Sequence, residues 1–331
     1  MSKNLEITIA CNAYDRTRPI KDGRVQVEGC DVTYLTYEAE EMFFRALRHD
    51  EFDVAELSFS GYMITFSRGV SPYIAIPAFV SRFFRHSSIY IRTDRDIKSP
   101  ADLKGRLVGL PEYSQTAGVW MRGIFQDDYG LRPSDVRWRA GGLEEPGRDE
   151  RMPLKPPDGI DLKPIGVGKT LTKMLDDGEL DAVMTARALS SFVRSAPNIG
   201  RLFPNYQDIE RDYYRRTKIF PPMHLIGIRK SLVEKHPWLP ANVYKAFCKA
   251  KAIAMNDVRE VGWPHVTLPW VDAQAAAVSD LMGADYWRYG VNESAHEIET
   301  LIRYAHEQGL LARKVNVEEL FAPTTLVTSK I

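Results

Sequence analysis

No stretch of this 331-residue chain is apolar for long enough to span a bilayer, so no transmembrane helix is expected. The opening, MSKNLEITIACNAYD, has neither an apolar h-region nor a small-residue cleavage site, and does not read as a secretory signal. Cysteine is scarce. Cys11, Cys30 and Cys248 are odd in number and scattered, which excludes a disulfide framework and points to a reducing, cytoplasmic setting. There is no excess of basic charge, since Lys plus Arg and Asp plus Glu both number 44, so no nucleic-acid partner is expected. Cys-x-x-Cys and His-Glu-x-x-His are absent, and no pair among the seven histidines has zinc-ligand spacing; no metal is expected. Ile165-Gly-Val-Gly-Lys-Thr170 lacks the first Walker glycine, whose place is taken by Lys163, so the string reads as a helix entrance and not as a phosphate loop.

What is present is a chain 44% apolar and long enough for two domains, with strand and helix signals in alternation. Residues 5–11, 32–37, 53–57, 73–77 and 106–110 pattern as strands. Residues 39–48 place Met42, Phe43, Ala46 and Leu47 on one helical face, and 116–127 form a second amphipathic helix. The alternation predicts an α/β layer with a largely parallel sheet. Residues 141–159, rich in Gly, Pro and charge, predict a long surface excursion, after which strand 161–167 and helix 169–176 resume. Beyond His224 the chain turns mostly helical, with one long helix over 239–258 and a capping box at Ser294 and Glu297. The tryptophans Trp120, Trp138, Trp263, Trp270 and Trp287 are expected to line cores.

Four segments carry candidate chemistry. In IPAFVSRFFRHSSIYIRTD (residues 76–94) a strand ends at Ile76-Pro77, and Arg82, Arg85 and His86 crowd among aromatics before a strand resumes. In TKIFPPMHLIGIR (217–229), His224 stands directly ahead of another strand. Two cation-bearing strand entrances so far apart predict two crossings between lobes, with a site for an acidic ligand between them. Arginine grips a carboxylate through paired hydrogen bonds, and histidine exchanges protons near neutral pH. A hydrogen-bonded core histidine is the other reading of His224. The loop NAYDRTRP (12–19) sets Tyr14, Asp15 and Arg16 at the carboxyl end of the first strand, where open α/β sheets place ligands; a solvated loop with an internal Asp–Arg pair is the alternative. In EYSQTAG (112–118), Glu112 precedes Ser114, Gln115 and Thr116, whose amides and hydroxyls at a helix entrance suit a carboxylate, with simple capping a compatible role.

Tyr14-Asp-Arg-Thr-Arg18, Ser81-Arg-Phe-Phe-Arg-His-Ser87, Leu103-Lys-Gly-Arg-Leu-Val-Gly109, Gly178-Glu-Leu-Asp-Ala182, Arg216-Thr-Lys-Ile-Phe-Pro-Pro-Met-His224 and His236-Pro-Trp238 together carry a resemblance. The chain is similar to the 4,5-dihydroxyphthalate decarboxylases over residues 5–254. The Leu-Lys-Gly and Gly-Glu-Leu-Asp-Ala strings are shared with ordinary solute-binding proteins and bear on the fold alone. The resemblance implies a type 2 periplasmic-binding-protein-like α/β fold of two discontinuous lobes joined by two crossover strands. Residues 1–88 plus 225–331 would form one lobe and 89–224 the other. It implies a carboxy-lyase that turns 4,5-dihydroxyphthalate into 3,4-dihydroxybenzoate (protocatechuate) and carbon dioxide in aromatic catabolism. Direct loss of carbon dioxide would leave an undelocalised aryl carbanion, whereas a para-hydroxyl can push electrons to the carboxyl-bearing carbon, which is protonated before the C–C bond breaks. That route needs no organic cofactor. On this footing His86 is the expected acid, His224 the phenol-side base, and the two are exchangeable. Arg82 and Arg85, with the Ser114–Thr116 entrance, anchor the retained carboxylate, and Asp15, Arg16 and Glu112 orient or tune. The expected partner is a small aromatic dicarboxylate, with no membrane and with homo-oligomerisation left open. A non-catalytic aryl-acid-binding protein of the same fold is the rival reading.

Overall fold

The computed structural model describes residues 4–148, 150, 154–155 and 157–326. Eleven strands run in chain order among the described residues: β1 Leu5–Ala10, β2 Cys30–Leu35, β3 Val54–Ser58, β4 Tyr73–Arg82, β5 Ile89–Arg92, β6 Leu107–Leu110, β7 Arg137–Ala140, β8 Asp161–Pro164, β9 Ala182–Met184, β10 Ile199–Arg201 and β11 Pro222–Arg229. The chain folds into two units. The first takes residues up to Arg82, Lys218–Glu299 and the stretch from Val315 on; the second takes Phe83–Thr217 and Thr300–Lys314.

The first unit holds a five-stranded sheet in the order β2-β1-β3-β11-β4. β1 lies parallel to β2 and β3, while β11 runs antiparallel to both β3 and β4. All five residues of β3 are buried, as suits a central strand covered on both faces. The helix Ala39–His49 buries Met42, Phe43 and Ala46, the face its spacing predicts. The helix Leu239–Arg259 likewise buries Val243, Ala246, Phe247, Ala250 and Ala254 at three- and four-residue intervals. β4 does not stop at Pro77, where the sequence places its end, but continues to Arg82. The reason lies in its pairing: Ile226 faces Ile76 and His224 faces Ser81, so five residues of β4 oppose two of β11. Pro77 falls inside this bulge and on an edge strand, where its missing N–H removes no ladder bond.

The second unit holds a six-stranded sheet in the order β10-β5-β9-β6-β7-β8. β6 through β9 are mutually parallel, and β5 and β10 add antiparallel pairings at one side, so both sheets are mixed. Thr170 caps the helix Leu171–Asp176 by accepting from the Lys173 amide, in line with the reading of Gly168-Lys169-Thr170 as a helix entrance. Residues 300–314 belong to this unit, whereas the sequence reading gives the whole of 225–331 to the first lobe. Polar partners account for the difference. Arg303 and Tyr304 donate to Asp127, and Gln308 pairs with Arg122, both on the helix Thr116–Tyr129. Among the described residues no helix is long and apolar enough to cross a membrane.

Candidate active site

In the first unit, polar groups converge on Glu56, the one charged residue of β3. Strand alternation puts Val54, Glu56 and Ser58 on one face. On neighbouring β11, Ile226 faces Glu56 and His224 faces Ser58, so Glu56 and His224 are diagonal neighbours on the same face. Glu56 is fully buried, and a carboxylate in that position is tolerable only when its lone pairs are met. They are. Oε1 accepts from the Tyr14 hydroxyl at 2.8 Å and from His224 Nδ1 at 2.6 Å; Oε2 accepts from the Asn12 amide at 3.0 Å and the Cys11 thiol at 3.4 Å. Burial alone would raise the carboxyl's pKa, but the hydrogen bond and charge of His224, the Asn12 amide and the Tyr14 hydroxyl outweigh it, and Glu56 is held below the usual carboxylate range.

The carboxylate fixes the ring it faces. With the Nδ1 proton directed at Glu56, His224 presents Nε2, which has no hydrogen-bond partner among the described residues. The Phe43 ring meets the imidazole edge-on at 4.8 Å, and the side chain stays 20% exposed. Cys11 and Tyr14 take no part as anions, because burial first and the Glu56 charge second push both groups' pKa values up.

Arg16 lies in the same loop. Its guanidinium sits between the Tyr14 ring at 4.2 Å and the Trp287 ring at 4.0 Å. Nε donates to the Val80 carbonyl at 2.7 Å and Nη1 to Asp15 at 3.0 Å, while Nη2 has no hydrogen-bond partner among the described residues. A cation held flat by two rings and two hydrogen bonds loses little freedom on gripping an anion. Trp287 is itself fixed by donating to the Phe79 carbonyl at 2.9 Å. Tyr14, Asp15, Arg16 and His224 therefore gather in one place.

The other expected residues fall elsewhere. Arg82 is buried, and donates to the Phe220 carbonyl, the Arg288 carbonyl and Ser294 Oγ, each at 2.7 Å, with Glu297 at 3.5 Å. Burial lowers its pKa to about 10, against the pull of Glu297. Ser294 and Glu297, expected as a capping box, thus serve Arg82, and Glu297 also accepts from Arg288. Arg85 and His86 belong to the second unit. Arg85 is buried, with a pKa brought down to about 10 by that burial, and lies over the Phe83 ring at 4.8 Å. His86 packs against Tyr213 and Phe203, and its Nδ1 has no hydrogen-bond partner among the described residues. Burial pushes its pKa down to about 4, so the ring is uncharged at neutral pH.

Also in the second unit, Glu112 is buried and pairs with Arg148, whose Nε lies at 2.9 Å. Ser114 Oγ donates at 2.7 Å to Glu150, which also accepts from the Tyr113 amide. The cradle that the sequence reading offers to a ligand carboxylate is thus held by a carboxylate of the 141–159 excursion. Burial raises the Glu150 pKa, opposed by Ser114. Gln115 is half-buried ahead of the helix that Thr116 begins. Among the described residues, no group of three or more His, Cys, Asp and Glu side chains comes together to hold a metal ion.

Glu56 is the residue that sequence reasoning missed. Its signal was available: one carboxylate in the middle of an otherwise apolar strand, where an unpaired charge could not stay.

Comparison with known proteins bears on the same chain. Residues 24–142 match the family model of an ABC transporter, phosphonate, periplasmic substrate-binding protein. A 4,5-dihydroxyphthalate decarboxylase of Comamonas testosteroni is 45% identical over 331 residues, the full length of both chains. One of Pseudomonas putida is 47% identical over 211 residues, covering 64% of this chain and 82% of that one. Among solved structures, the periplasmic aliphatic sulphonate binding protein SsuA from Escherichia coli superposes with a TM-score of 0.54 at 14% identity, over 98% of this chain and 99% of its own. The desulfurization enzyme DSZB gives 0.50 at 13% identity, over 98% of each chain. At such identities these structures bear on the fold alone, which is periplasmic-binding-protein-like.

Proposed function

The chain belongs to the 4,5-dihydroxyphthalate decarboxylase family, and from that premise we propose that it is a carboxy-lyase converting 4,5-dihydroxyphthalate to 3,4-dihydroxybenzoate and carbon dioxide. The observation that carries the chemistry is the buried Glu56 carboxylate 2.6 Å from His224 Nδ1. In this reading the hydroxyl para to the departing carboxylate pushes electron density to the carboxyl-bearing carbon as its proton leaves to solvent. His224 Nε2–H delivers a proton to that carbon, and Glu56 supplies the counter-charge for the protonated ring. The C–C bond then breaks, its electron pair restores the aromatic ring as a phenolate, carbon dioxide departs, and the phenolate and His224 each regain a proton from water. One carboxylate and one proton are consumed, and one C–H bond and one carbon dioxide result. The acid role moves from His86 to His224 because an imidazole titrating at about 4 holds no proton to give at neutral pH. Arg16 replaces Arg82 as the anchor for the retained carboxylate, since the Arg82 guanidinium is committed to its own chain. Three free cysteines, two of them buried, support a reducing compartment, and we assign the cytoplasm.

The phosphonate-binding match favours a second reading, a binder of aryl acids without turnover. Carbon dioxide release from 4,5-dihydroxyphthalate separates the two. Proton delivery has its own readout: the wild-type protein should exchange the ring hydrogen at carbon 6 of 3,4-dihydroxybenzoate in heavy water. His224→Gln should lose decarboxylation and exchange together, by about a hundredfold to ten-thousandfold, while still binding the product within a few-fold. Glu56→Gln removes the charge and keeps one of the two acceptor oxygens, so that either the Tyr14 hydroxyl or the Asn12 amide loses its acceptor, and turnover and exchange should fall with little change in product binding. A folded His224→Gln protein with wild-type exchange would overturn the assignment.

A further inference from the structure

Tyr14 touches both halves of the candidate site. Its hydroxyl donates at 2.8 Å to Glu56 Oε1, the same oxygen that accepts from His224 Nδ1. Its ring faces the Arg16 guanidinium at 4.2 Å. The backbone between these two ends is fixed as well. The Tyr14 amide donates to the Asn12 carbonyl at 3.0 Å, and the Tyr14 carbonyl accepts from the Thr17 and Arg18 amides at 3.1 and 2.8 Å. Thr17 Oγ1 donates to that carbonyl too, at 3.2 Å. A phenol ring is rigid from its face to its hydroxyl oxygen, so whatever holds one end sets the other. Burial first, then the Glu56 charge, keeps the hydroxyl protonated and therefore a donor.

The opposite side of Arg16 is built as firmly. Of the tryptophans expected in cores, Trp263 and Trp270 are instead 71% and 79% exposed, whereas Trp287 stands against Arg16 at 4.0 Å. Trp287 belongs to a stretch, residues 285–290, that is neither helix nor strand and is pinned along its length. Lys251 donates to Asp285 at 2.6 Å and to the Trp287 carbonyl at 3.1 Å. Arg82 holds the Arg288 carbonyl, and the Gly290 amide donates to the Pro77 carbonyl at 2.9 Å. A guanidinium covered on both faces can hydrogen-bond only in its own plane. Its Nε and Nη1 are engaged there, which leaves Nη2 to an incoming anion.

We propose that Tyr14 is a two-ended positioning residue, whose hydroxyl sets the Glu56 carboxylate behind His224 and whose ring, with Trp287 opposite, sets the plane of Arg16 for an aryl carboxylate. The hydroxyl end rests on the reading of His224 as the proton donor, while the ring end stands on binding alone. Two donors on one oxygen share its charge. Without the hydroxyl, Oε1 is left to the Nδ1 proton and the carboxylate loses one of the contacts that fix its rotation. Without the ring, one face of the guanidinium is open to water, and the cation must be ordered anew each time an anion binds.

The test compares variants of the full-length protein by three readouts. These are carbon dioxide release at saturating 4,5-dihydroxyphthalate, calorimetric binding of 3,4-dihydroxybenzoate, and the proton resonance of His224 Nδ1–H, identified by its loss in His224→Gln. Tyr14→Phe removes the hydroxyl and keeps the ring. It should lower turnover about tenfold or more, as loss of one hydrogen bond to a charged group does, and shift the resonance while binding is unchanged. Tyr14→Leu removes both ends and should in addition weaken binding about threefold to thirtyfold, the size of a cation–π contact. Trp287→Leu should weaken binding by a like factor with the resonance unmoved, and Trp287→Phe, which keeps a ring face, should recover most of that loss. Tyr14→Phe with wild-type turnover and an unmoved resonance would overturn the proposal. So would Tyr14→Leu binding as tightly as Tyr14→Phe, or a Tyr14→Phe protein in which all three readouts collapse with the far-UV circular dichroism. A wild-type chain that releases no carbon dioxide, yet whose resonance and binding follow this pattern, would sink the decarboxylase reading and leave the positioning role standing.

Discussion

Glu210 and His86, 3.9 Å apart in the second unit, are both driven toward their neutral forms. Burial pushes the Glu210 carboxyl up to about 7, against the Ser87 and His86 amides, and pushes His86 down to about 4. Between those values neither is charged, so their approach is not an ion pair. The two act on stability with opposite signs. For His86 the unfolded chain binds the extra proton, so stability rises with pH from about 4 to the ordinary histidine value near 6.5. For Glu210 the folded chain binds it, so stability falls from the ordinary carboxylate value near 4.3 up to about 7. The slopes largely cancel. Glu210→Gln should uncover the His86 slope and gain about 1–3 kcal/mol over wild type at pH 8 relative to pH 5. Urea midpoints at a series of pH values check this, and superimposable profiles would contradict it. At this scale the sequence was only partly legible. Tyr14, Arg16 and His224 stood out because cations and aromatics in loops and at strand ends invite attention. Arg82 and His86 stood out for the same reason, yet burial sets their behaviour, and burial is a tertiary property. Glu56 was hidden because a strand pattern is judged by its apolar residues.

At the scale of elements, the close contact of Gly123 with Tyr304 offers a direct test of packing. A Cβ built on Gly123 would stand 2.2 Å from the Tyr304 ring, which also meets Trp120 edge-on at 5.5 Å and donates to Asp127. Ring and Asp127 hold each other, so there is little room to yield. Gly123→Ala improves helix propensity in the helix Thr116–Tyr129 yet should destabilise the protein by about 1–3 kcal/mol through overpacking; a raised thermal midpoint would refute this. Most elements were readable in the sequence because each is patterned locally. The helix Ala39–His49 and strands β1, β3 and β6 fall within a residue or so of their expected bounds. β2 starts two residues early because it pairs in register with β1, Cys30 opposite Leu5. The extension of β4 was illegible for a related reason: what permits Pro77 inside a strand is the bulge opposite β11, some 150 residues further on.

For the whole molecule, the chain passes between units at Arg82–Phe83, Thr217–Lys218, Glu299–Thr300 and Lys314–Val315. Neither unit is a contiguous segment, and the last stretches serve both. The Tyr62 hydroxyl donates to the Leu320 carbonyl, and the Ala322 amide to that of Ala75, in the first unit. Gln308 accepts from buried Arg122 in the second. A chain ended after Glu299 should therefore strip partners from both units and lose cooperative unfolding. Near-UV circular dichroism during urea titration measures this, and a truncated protein with the wild-type midpoint would show that residues 300–331 are dispensable. The place of β11 in its sheet has a further consequence, for synthesis. β11 fills the slot between β3 and β4, yet about 140 residues separate the end of β4 from its start. At roughly 5–20 residues per second on the ribosome, that slot stays empty for about 10–30 s. During that interval the nascent chain carries β3 and β4 with open edges, a stage at which chaperone capture or pairing with a neighbouring nascent chain competes with folding.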